Sequence, residues 1–376
     1  MPTAKSEKNS TRSFLLLPLI ISIISGIFFV YNSSSTYAYE NFGNAFYFLI
    51  NQSTWILIGV IVFLIIQKMP LSLIHKLSIP LYFLALFFLV VVLIPSPFSL
   101  KVYGARRWLL INPSPFSEFP FLGRLGFQPS EMIKLLLCVL LPKVLLSIKS
   151  LYNENVKLLK YVCYLLVPAS LVLLEPDLKN AFLIVFIGGC ILFVAGFKIR
   201  YFVFSIPIFL FILLVVIIFY PYRLERVYTY LGSGDSQSSY HLRQINIALG
   251  SGGIFGVGMG QSRQKNEYLP EVVGDSIFAV IGEEFGFVGS FMLVLLLFLV
   301  TLGLYKSVRI IKSFNEKLTA VGVLSWYGMQ VFLNLGAVSG VIPITGVPLP
   351  FISYGGSSLV FLLAGFALVY KSSKNS

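Results

Sequence analysis

Ten apolar runs divide this chain, at 14–31, 53–67, 79–95, 131–147, 160–174, 179–196, 201–220, 286–305, 319–340 and 351–370. Most are near or above the ~17 residues with which a helix crosses the hydrocarbon of a bilayer. They do not alternate apolar and polar residues, so they do not read as strands of a membrane barrel. Charge content agrees: 11% of the 376 residues are charged and 57% are hydrophobic, whereas soluble domains carry about 25% charged residues. The expected fold is an all-α polytopic membrane protein, one integral membrane domain over 1–376 with about ten transmembrane helices. Residues 1–13 form a cytoplasmic tail, and a large external loop, 221–285, lies between helices 7 and 8. The basic start and the small residues near Ala38 have the look of a signal peptide. The first apolar run is long for one and many spans follow, so it reads as the first helix.

The pair of runs around Glu175-Pro176-Asp177 reads as two short helices joined by an external turn. Proline disfavours a helical conformation in the residue before it, and two acids at the bilayer centre would be costly. With both termini in the cytoplasm, seventeen Lys and Arg fall in inside segments and ten in outside ones, the bias expected of cytoplasmic loops. Nine of the ten outside cations sit in two loops, 96–130 and 221–285. Cations held outside against the topological preference suggest an anionic partner there; pairing with Glu225, Asp235, Glu267 or Glu271 is the plainer alternative.

Those two loops carry the motifs. The first holds Tyr103-Gly104-Ala105-Arg106-Arg107-Trp108, where paired arginines suit a phosphate and the tryptophan suits an interface. It ends in Gln128-Pro129-Ser130-Glu131, a helix start, with Glu131 and Lys134 one turn apart and able to pair. The second holds a short helix from Tyr240 to Leu249 and six glycines between Gly250 and Gly260. With no preceding strand and no Lys-Ser/Thr, these glycines match no nucleotide fingerprint and read as a flexible interfacial turn.

The segment from Arg263 to Gly289 concentrates five carboxylates and two cations. Pro270 suits a helix start near Leu269. Asp275 then lies within two turns of that positive end, Glu271 one turn before it, and Arg263 and Lys265 in the preceding loop. A positioned carboxylate beside fixed cations is equipment for glycosyl transfer: the carboxylate takes a proton from an attacking sugar hydroxyl, and the cations stabilise a departing phosphate. Glu283 and Glu284 read as structural or as a wall of the same cavity. Pro343 to Pro350 and Phe351 to Ser358, rich in proline and glycine, are expected to line it as well, because irregular backbone at membrane depth needs protein or a wet cavity.

Cys138, Cys163 and Cys190 lie inside apolar runs and fit no disulfide framework or metal site. His75 and His241 are isolated, and structural or solvated roles are expected for both.

Taken together, Gly-Ala-Arg-Arg-Trp at 104–108, Gln-Pro-Ser-Glu at 128–131, Tyr-Leu-Pro-Glu at 268–271, Asp275 through Gly282-Glu283-Glu284, and Pro-Leu-Pro-Phe-Ile-Ser-Tyr-Gly-Gly-Ser-Ser at 348–358 resemble the SEDS family of FtsW, RodA and SpoVE. The resemblance spans most of the chain. It implies a peptidoglycan glycosyltransferase of the bacterial cytoplasmic membrane that polymerises lipid II, the undecaprenyl-diphosphate-linked disaccharide pentapeptide, on the outer face. It implies as partners a class B penicillin-binding transpeptidase and other division or elongation proteins, and no nucleic acid. The essential aspartate of the family falls on Asp275. The family has Thr-Asp-Phe there, where this chain has Gly274-Asp275-Ser276. The Gln-Lys-X-Glu-Tyr-Leu-Pro-Glu wording is closer to FtsW than to RodA.

The expected site is then Asp275 as general base, with Lys265, Arg107 and Arg263 on the donor diphosphate. Glu267, Glu271, Ser353 and Tyr354 are further substrate-binding candidates, and Glu131, Lys134, Glu283 and Glu284 structural or cavity residues. No cofactor is certain; a divalent cation, Mg or Mn, could assist at the diphosphates, and no metal-ligand spacing is visible. Two rivals come from other classes. A lipid II flippase would favour inverted repeats meeting at the midplane, and no repeat is found. A scaffold of the division or elongation machinery would need no chemistry at Asp275.

Overall fold

The computed structural model describes residues 4–102, 105–113, 125–147, 154–203, 207, 237–267 and 269–375. These form eleven helices and one small sheet. The helices are α1 (Ala4–Phe42), α2 (Tyr47–Lys68), α3 (Leu71–Leu93), α4 (Pro129–Ser147), α5 (Glu154–Leu174), α6 (Leu178–Val194), α7 (Gln237–Gly252), α8 (Gln264–Glu267), α9 (Ile277–Ile310), α10 (Phe314–Val338) and α11 (Gly356–Asn375). Among the described residues six helices are long and apolar enough to cross a membrane, and two shorter apolar helices cover Leu158–Leu174 and Leu178–Val194. Helices overlie nine of the ten expected runs. The tenth, 201–220, lies almost wholly outside the described residues, as does the first part of the expected external loop, 221–236. The protein is a polytopic helical membrane protein.

The bundle packs α1 against α9, α2 against α11, α3 against α4, and α6 against α10. One continuous core results, with Trp326, Tyr82, Tyr161, Tyr327 and Phe366 among its fully buried side chains. Helices α1, α2, α3 and α9 turn most of their surface outward, and that surface is apolar: Leu17, Leu57, Phe83 and Phe291 are exposed. This reverses the soluble pattern and suits a hydrocarbon solvent.

An all-helical chain was expected, and the loop between α3 and α4 departs from it. Strands β1 (Ser99–Val102), β2 (Ala105–Leu110) and β3 (Gly126–Phe127) form an antiparallel sheet in the order β1-β2-β3. Val102 pairs with Ala105, so residues 103 and 104, outside the described residues, connect the first two strands. The run Ala-Arg-Arg-Trp-Leu-Leu is too short and too charged for a span, and pairing satisfies its backbone.

The glycine-rich stretch is not a free turn. Helix α9 breaks at Gly286, whose φ of 63° and ψ of −159° are non-helical. The loop after α7 closes the break with four backbone bonds. Val257 N–H donates to Glu283 O at 2.9 Å and Gly258 N–H to Glu284 O at 3.1 Å. Phe287 N–H donates to Gly253 O at 2.9 Å and Val288 N–H to Ile254 O at 3.1 Å. This approach needs glycine, because a Cβ on Gly256 would lie 2.1 Å from Glu284 O and one on Gly252 2.0 Å from Gly282 O.

The helix expected near Leu269 starts later. Residues 270–276 form turns, and α9 begins at Ile277 after Ser276. Glu271 takes a left-handed φ of 53°, and its carbonyl accepts from Gly274 N–H at 2.9 Å and Ser276 N–H at 3.4 Å. Pro270 therefore opens a turn, and Asp275 stands at the head of α9.

Replacing Gly256 with Ala adds both a backbone clash and strain at a φ of 84°. It should destabilise the protein by at least ~1–3 kcal/mol, read as a lowered thermal midpoint in detergent.

Candidate functional site

Three polar groups are built into the bundle, and they differ in how closed they are. The first lies where β2, the head of α4 and the α5–α6 turn meet. Lys134, fully buried, donates to Glu131 at 2.7 Å and to Asn180 Oδ1 at 2.9 Å. Its ammonium also sits 5.0 Å from the centre of the Trp326 ring. Asn180 Nδ2 donates to Asp177 Oδ2 at 2.9 Å, and Gln128 Nε2 reaches the same oxygen at 3.0 Å. Arg107 donates to the carbonyls of Pro176 at 2.6 Å and Glu175 at 3.3 Å, with Asp177 3.9 Å away. Its side chain remains 24% exposed. The Glu131–Lys134 pair that one helical turn allows is thus formed, and Arg107 braces the turn between α5 and α6.

Glu175 belongs to the same turn. Its carboxyl is buried, and neither oxygen has a hydrogen-bond partner. Burial first, and then the charge of Asp177, push its pKa up to about 9, against the opposing pull of Arg107.

The second group closes the broken helix. Lys265, buried, donates to Glu284 Oε1 at 2.7 Å and to the Asn32 carbonyl at 3.1 Å. Asn32 Nδ2 donates to the other oxygen of Glu284. Glu283 accepts from the Ser262 hydroxyl and from the backbone N–H groups of Arg263 at 3.1 Å and Gln264 at 3.4 Å. Helix α1 is tied here to α8 and α9. Arg263 itself is exposed, and α8 carries Glu267, whose side chain lies outside the described residues, as does Tyr268.

The third group is open. Asp275, half-buried, lines a cleft with Ile245, Asn334 and the segment from Ile344 to Val347. Asn334 Nδ2 donates to the Asp275 carbonyl at 3.0 Å and to the Val347 carbonyl at 2.7 Å. Tyr354 N–H donates to the Val273 carbonyl at 2.8 Å. The irregular segment after α10 is thereby fastened to the Asp275 turn. Its first half lines the cleft. Ser353 is instead buried in a turn, donating to no substrate-facing surface: its hydroxyl accepts from Leu349 N–H at 2.9 Å and its carbonyl from Gln52 at 3.4 Å. Tyr354 packs edge-on against Phe48. Glu271 is exposed and directs Oε2 toward Gly274.

Two residues beside Asp275 were not singled out from the sequence. Lys179, in the first turn of α6, donates to the Gly346 carbonyl. His241 on α7 lies 2.6 Å from the Ser276 hydroxyl, so its isolation in sequence hides a contact next to the aspartate. The clue for Lys179 was its position just after Glu-Pro-Asp. Among the described residues no three His, Cys, Asp or Glu are grouped to hold a metal ion.

A membrane bundle with two sealed ionic networks and a cleft lined by an aspartate at a helix head defines the class. The chain belongs to the FtsW/RodA/SpoVE family: the model of these cell cycle proteins matches residues 12–376. It is 34% identical to the stage V sporulation protein E of Bacillus subtilis, over 99% of both chains. It is 33% identical to a probable peptidoglycan glycosyltransferase FtsW of Wigglesworthia glossinidia brevipalpis, over 95% of this chain and 92% of the relative. Among solved structures it resembles a chain from a peptidoglycan synthase complex that coordinates polymerization and crosslinking, with TM-score 0.77, 26% identity and 96% and 97% coverage. It also resembles the rod shape determining protein RodA of Thermus thermophilus, with TM-score 0.68, 25% identity and 96% coverage of both chains.

Two expectations follow from the sealed groups. Lys265→Met leaves Glu284 as a buried unpaired charge and should cost ~3–5 kcal/mol, while Lys265→Met with Glu284→Leu should cost less; a double-mutant cycle of thermal unfolding reads the difference. Glu175 holds a proton when folded and releases it when unfolded across about pH 4.5 to 9. Stability should therefore fall as pH rises through that window. Glu175→Gln should flatten the fall and raise the midpoint near pH 8, as thermal melts across pH would show.

Proposed function

We propose that this protein is a peptidoglycan glycosyltransferase that polymerises lipid II into glycan strands, in a septal, FtsW-like role. The observation that carries the reading is Asp275, held by its backbone at the head of α9 and lining a cleft with Asn334 and residues 344–347. The relatives named FtsW support the enzyme class and the septal role.

In the proposed step, the Asp275 carboxylate accepts the proton of the acceptor sugar hydroxyl. That oxygen bonds to the anomeric carbon of the donor from the face opposite the diphosphate. The bond to the diphosphate breaks, the lipid-linked diphosphate leaves with the electron pair, and the anomeric centre inverts. Arg263, exposed, and Arg107, partly so, are the cations we assign to the diphosphate. Lys265 acts through Glu284, fixing the loop that leads to Asp275. Glu267, Glu271 and Tyr354 complete the substrate surface. Ser353 shapes the turn behind it, as Glu131, Lys134, Glu283 and Glu284 shape the frame.

The same reading gives the protein ten spans in a bacterial cytoplasmic membrane, with both termini inside and the cleft and the 221–285 loop outside. Both substrates keep their lipid tails in the bilayer, so a cleft at the membrane's outer edge reaches their head groups. The solved relative from a complex that couples polymerization to crosslinking supports a class B penicillin-binding transpeptidase as partner.

Purified protein with its transpeptidase should polymerise labelled lipid II. Asp275→Asn, which keeps the shape and removes the base, should lower the rate by ~10²–10⁴ with the complex still forming. Unchanged polymerisation by Asp275→Asn rules out the base. Absence of polymer from the wild type, with lipid II translocated in vesicles, establishes the flippase instead.

A further inference from the structure

The loop that closes the break in α9 is apolar on its exposed side. Ile254, Phe255, Val257 and Met259 are all exposed, Phe255 at 82%. No charged residue occurs between Arg243 and Arg263. The apolar surface continues onto α9, where Phe287 and Phe291 are exposed and their rings stack with centroids 6.2 Å apart. Adjoining exposed apolar side chains of this extent mark a contact with protein or with membrane.

Depth and backbone bonding favour membrane. The nineteen residues from Phe287 to Tyr305 carry no charge, and Lys306 follows them. At ~1.5 Å per residue they run about 28 Å, close to the ~30 Å of bilayer hydrocarbon. With Lys306 at one border, Gly286 falls at the other, and the loop bonded across Gly286 lies at that border too. A segment that enters hydrocarbon must also satisfy its own polar backbone within the protein. Beside the four bonds to α9, Gly256 N–H donates to the Gly252 carbonyl at 2.8 Å and Gln261 N–H to the Gly258 carbonyl at 3.1 Å.

We propose that residues 253–259 are a bilayer anchor, embedded in the leaflet at the Asp275 end of α9, with lipid acyl chains covering Ile254, Phe255, Val257 and Met259. A protein partner would be expected to meet a polar rim around an apolar patch. Here the apolar surface runs, with no charge between, into the face that α9 turns outward along its span. Apolar side chains in such a place sit ~5–10 Å into the boundary of head groups and acyl chains. The glycines make the anchor rigid. With Gly252 and Gly256 pressed on the carbonyls of α9, the loop is fixed to the bundle and its side chains are held at one depth. The inference depends on the membrane fold and not on the chemistry proposed for Asp275.

The test is depth-resolved fluorescence quenching of the full chain in nanodiscs. Phe255→Trp and Met259→Trp are made separately, and the signal of the three native tryptophans is subtracted with wild type. The discs contain phosphatidylcholine brominated either near the head group or near the end of the acyl chain. Phe298→Trp, at an exposed position near the middle of the uncharged run, is the reference for depth. The added fluorescence at 255 and 259 should fall about twofold with bromine near the head group, less with bromine at the chain end, and should resist aqueous acrylamide. Phe298→Trp should show the opposite order of depth. An added tryptophan that acrylamide quenches and bromine does not places the loop in water and overturns the proposal. One that neither quencher reaches is covered by protein, from this chain or a second copy, and overturns it as well. Bromine quenching lost when a transpeptidase is bound assigns the surface to that partner and also overturns it. Wild-type protein supplies a check free of substitution: a phospholipid with a diazirine high on its acyl chain should label peptides spanning 253–259, read by mass spectrometry, and labelling confined to the spans overturns the anchor.

Discussion

A broken backbone in an apolar bundle must find its hydrogen bonds within the protein, and that constraint organises this structure. Each polar group left bare in hydrocarbon costs several kcal/mol. Helix α9 breaks at Gly286, and the loop from Gly253 to Gly258 supplies both donors and acceptors to the open turn. Once that loop is seated, the chain that follows it has a fixed origin. Ser262, Arg263 and Gln264 then fall on Glu283, and Lys265 falls on Glu284. The turn bearing Asp275 begins only five residues after Lys265, so its position descends from the break.

The charges obey a related rule. A charge removed from water needs a partner in good geometry, and the deep cations have one. Lys134 has Glu131 and Asn180; Lys265 has Glu284 and the Asn32 carbonyl. These networks cross-link helices far apart in sequence, tying α4 to α6 and α1 to α9. Their geometry explains why Lys265, which looks like a phosphate ligand in the sequence, is held within the framework. Arg107 is spent largely on the carbonyls of Glu175 and Pro176, where it closes the end of α5.

Much of the frame was legible because hydrocarbon imposes a coarse rule on sequence. Helix length and apolarity located the spans, and the pairing of Glu131 with Lys134 followed from helical spacing. The small sheet was missed because its strands are two to six residues long and lie in a loop, where no periodicity develops. The start of α9 was misplaced because Pro270 suits a turn as well as a helix, and the left-handed Glu271 that decides between them has no sequence signature. The glycines read as flexible because clustering shows freedom; only the packing of Gly252 and Gly256 on the carbonyls of α9 shows that they are needed for contact. Asp275 was legible through its motif, whereas Lys179 and His241 reach Gly346 and Ser276 beside it from elements distant in sequence.

The turn that carries Asp275 is held through its backbone from several sides. Asn334 joins the carbonyls of Asp275 and Val347, and Tyr354 N–H holds the carbonyl of Val273. The turn is bounded by Glu271 at a φ of 53°, and the segment opposite contains Phe351 at 65°. Non-glycine residues pay ~1–3 kcal/mol for such conformations, and they persist where surrounding contacts fix them. Phe351 is fixed by its stacking on Tyr327, by its edge-on contact with Phe366 and by Gly26, where any Cβ would strike its carbonyl. Rigidity is thus supplied by main chain and aromatic packing. The head of α9 adds a positive field that favours a carboxylate. The position of the Asp275 turn is thus settled by contacts within the protein.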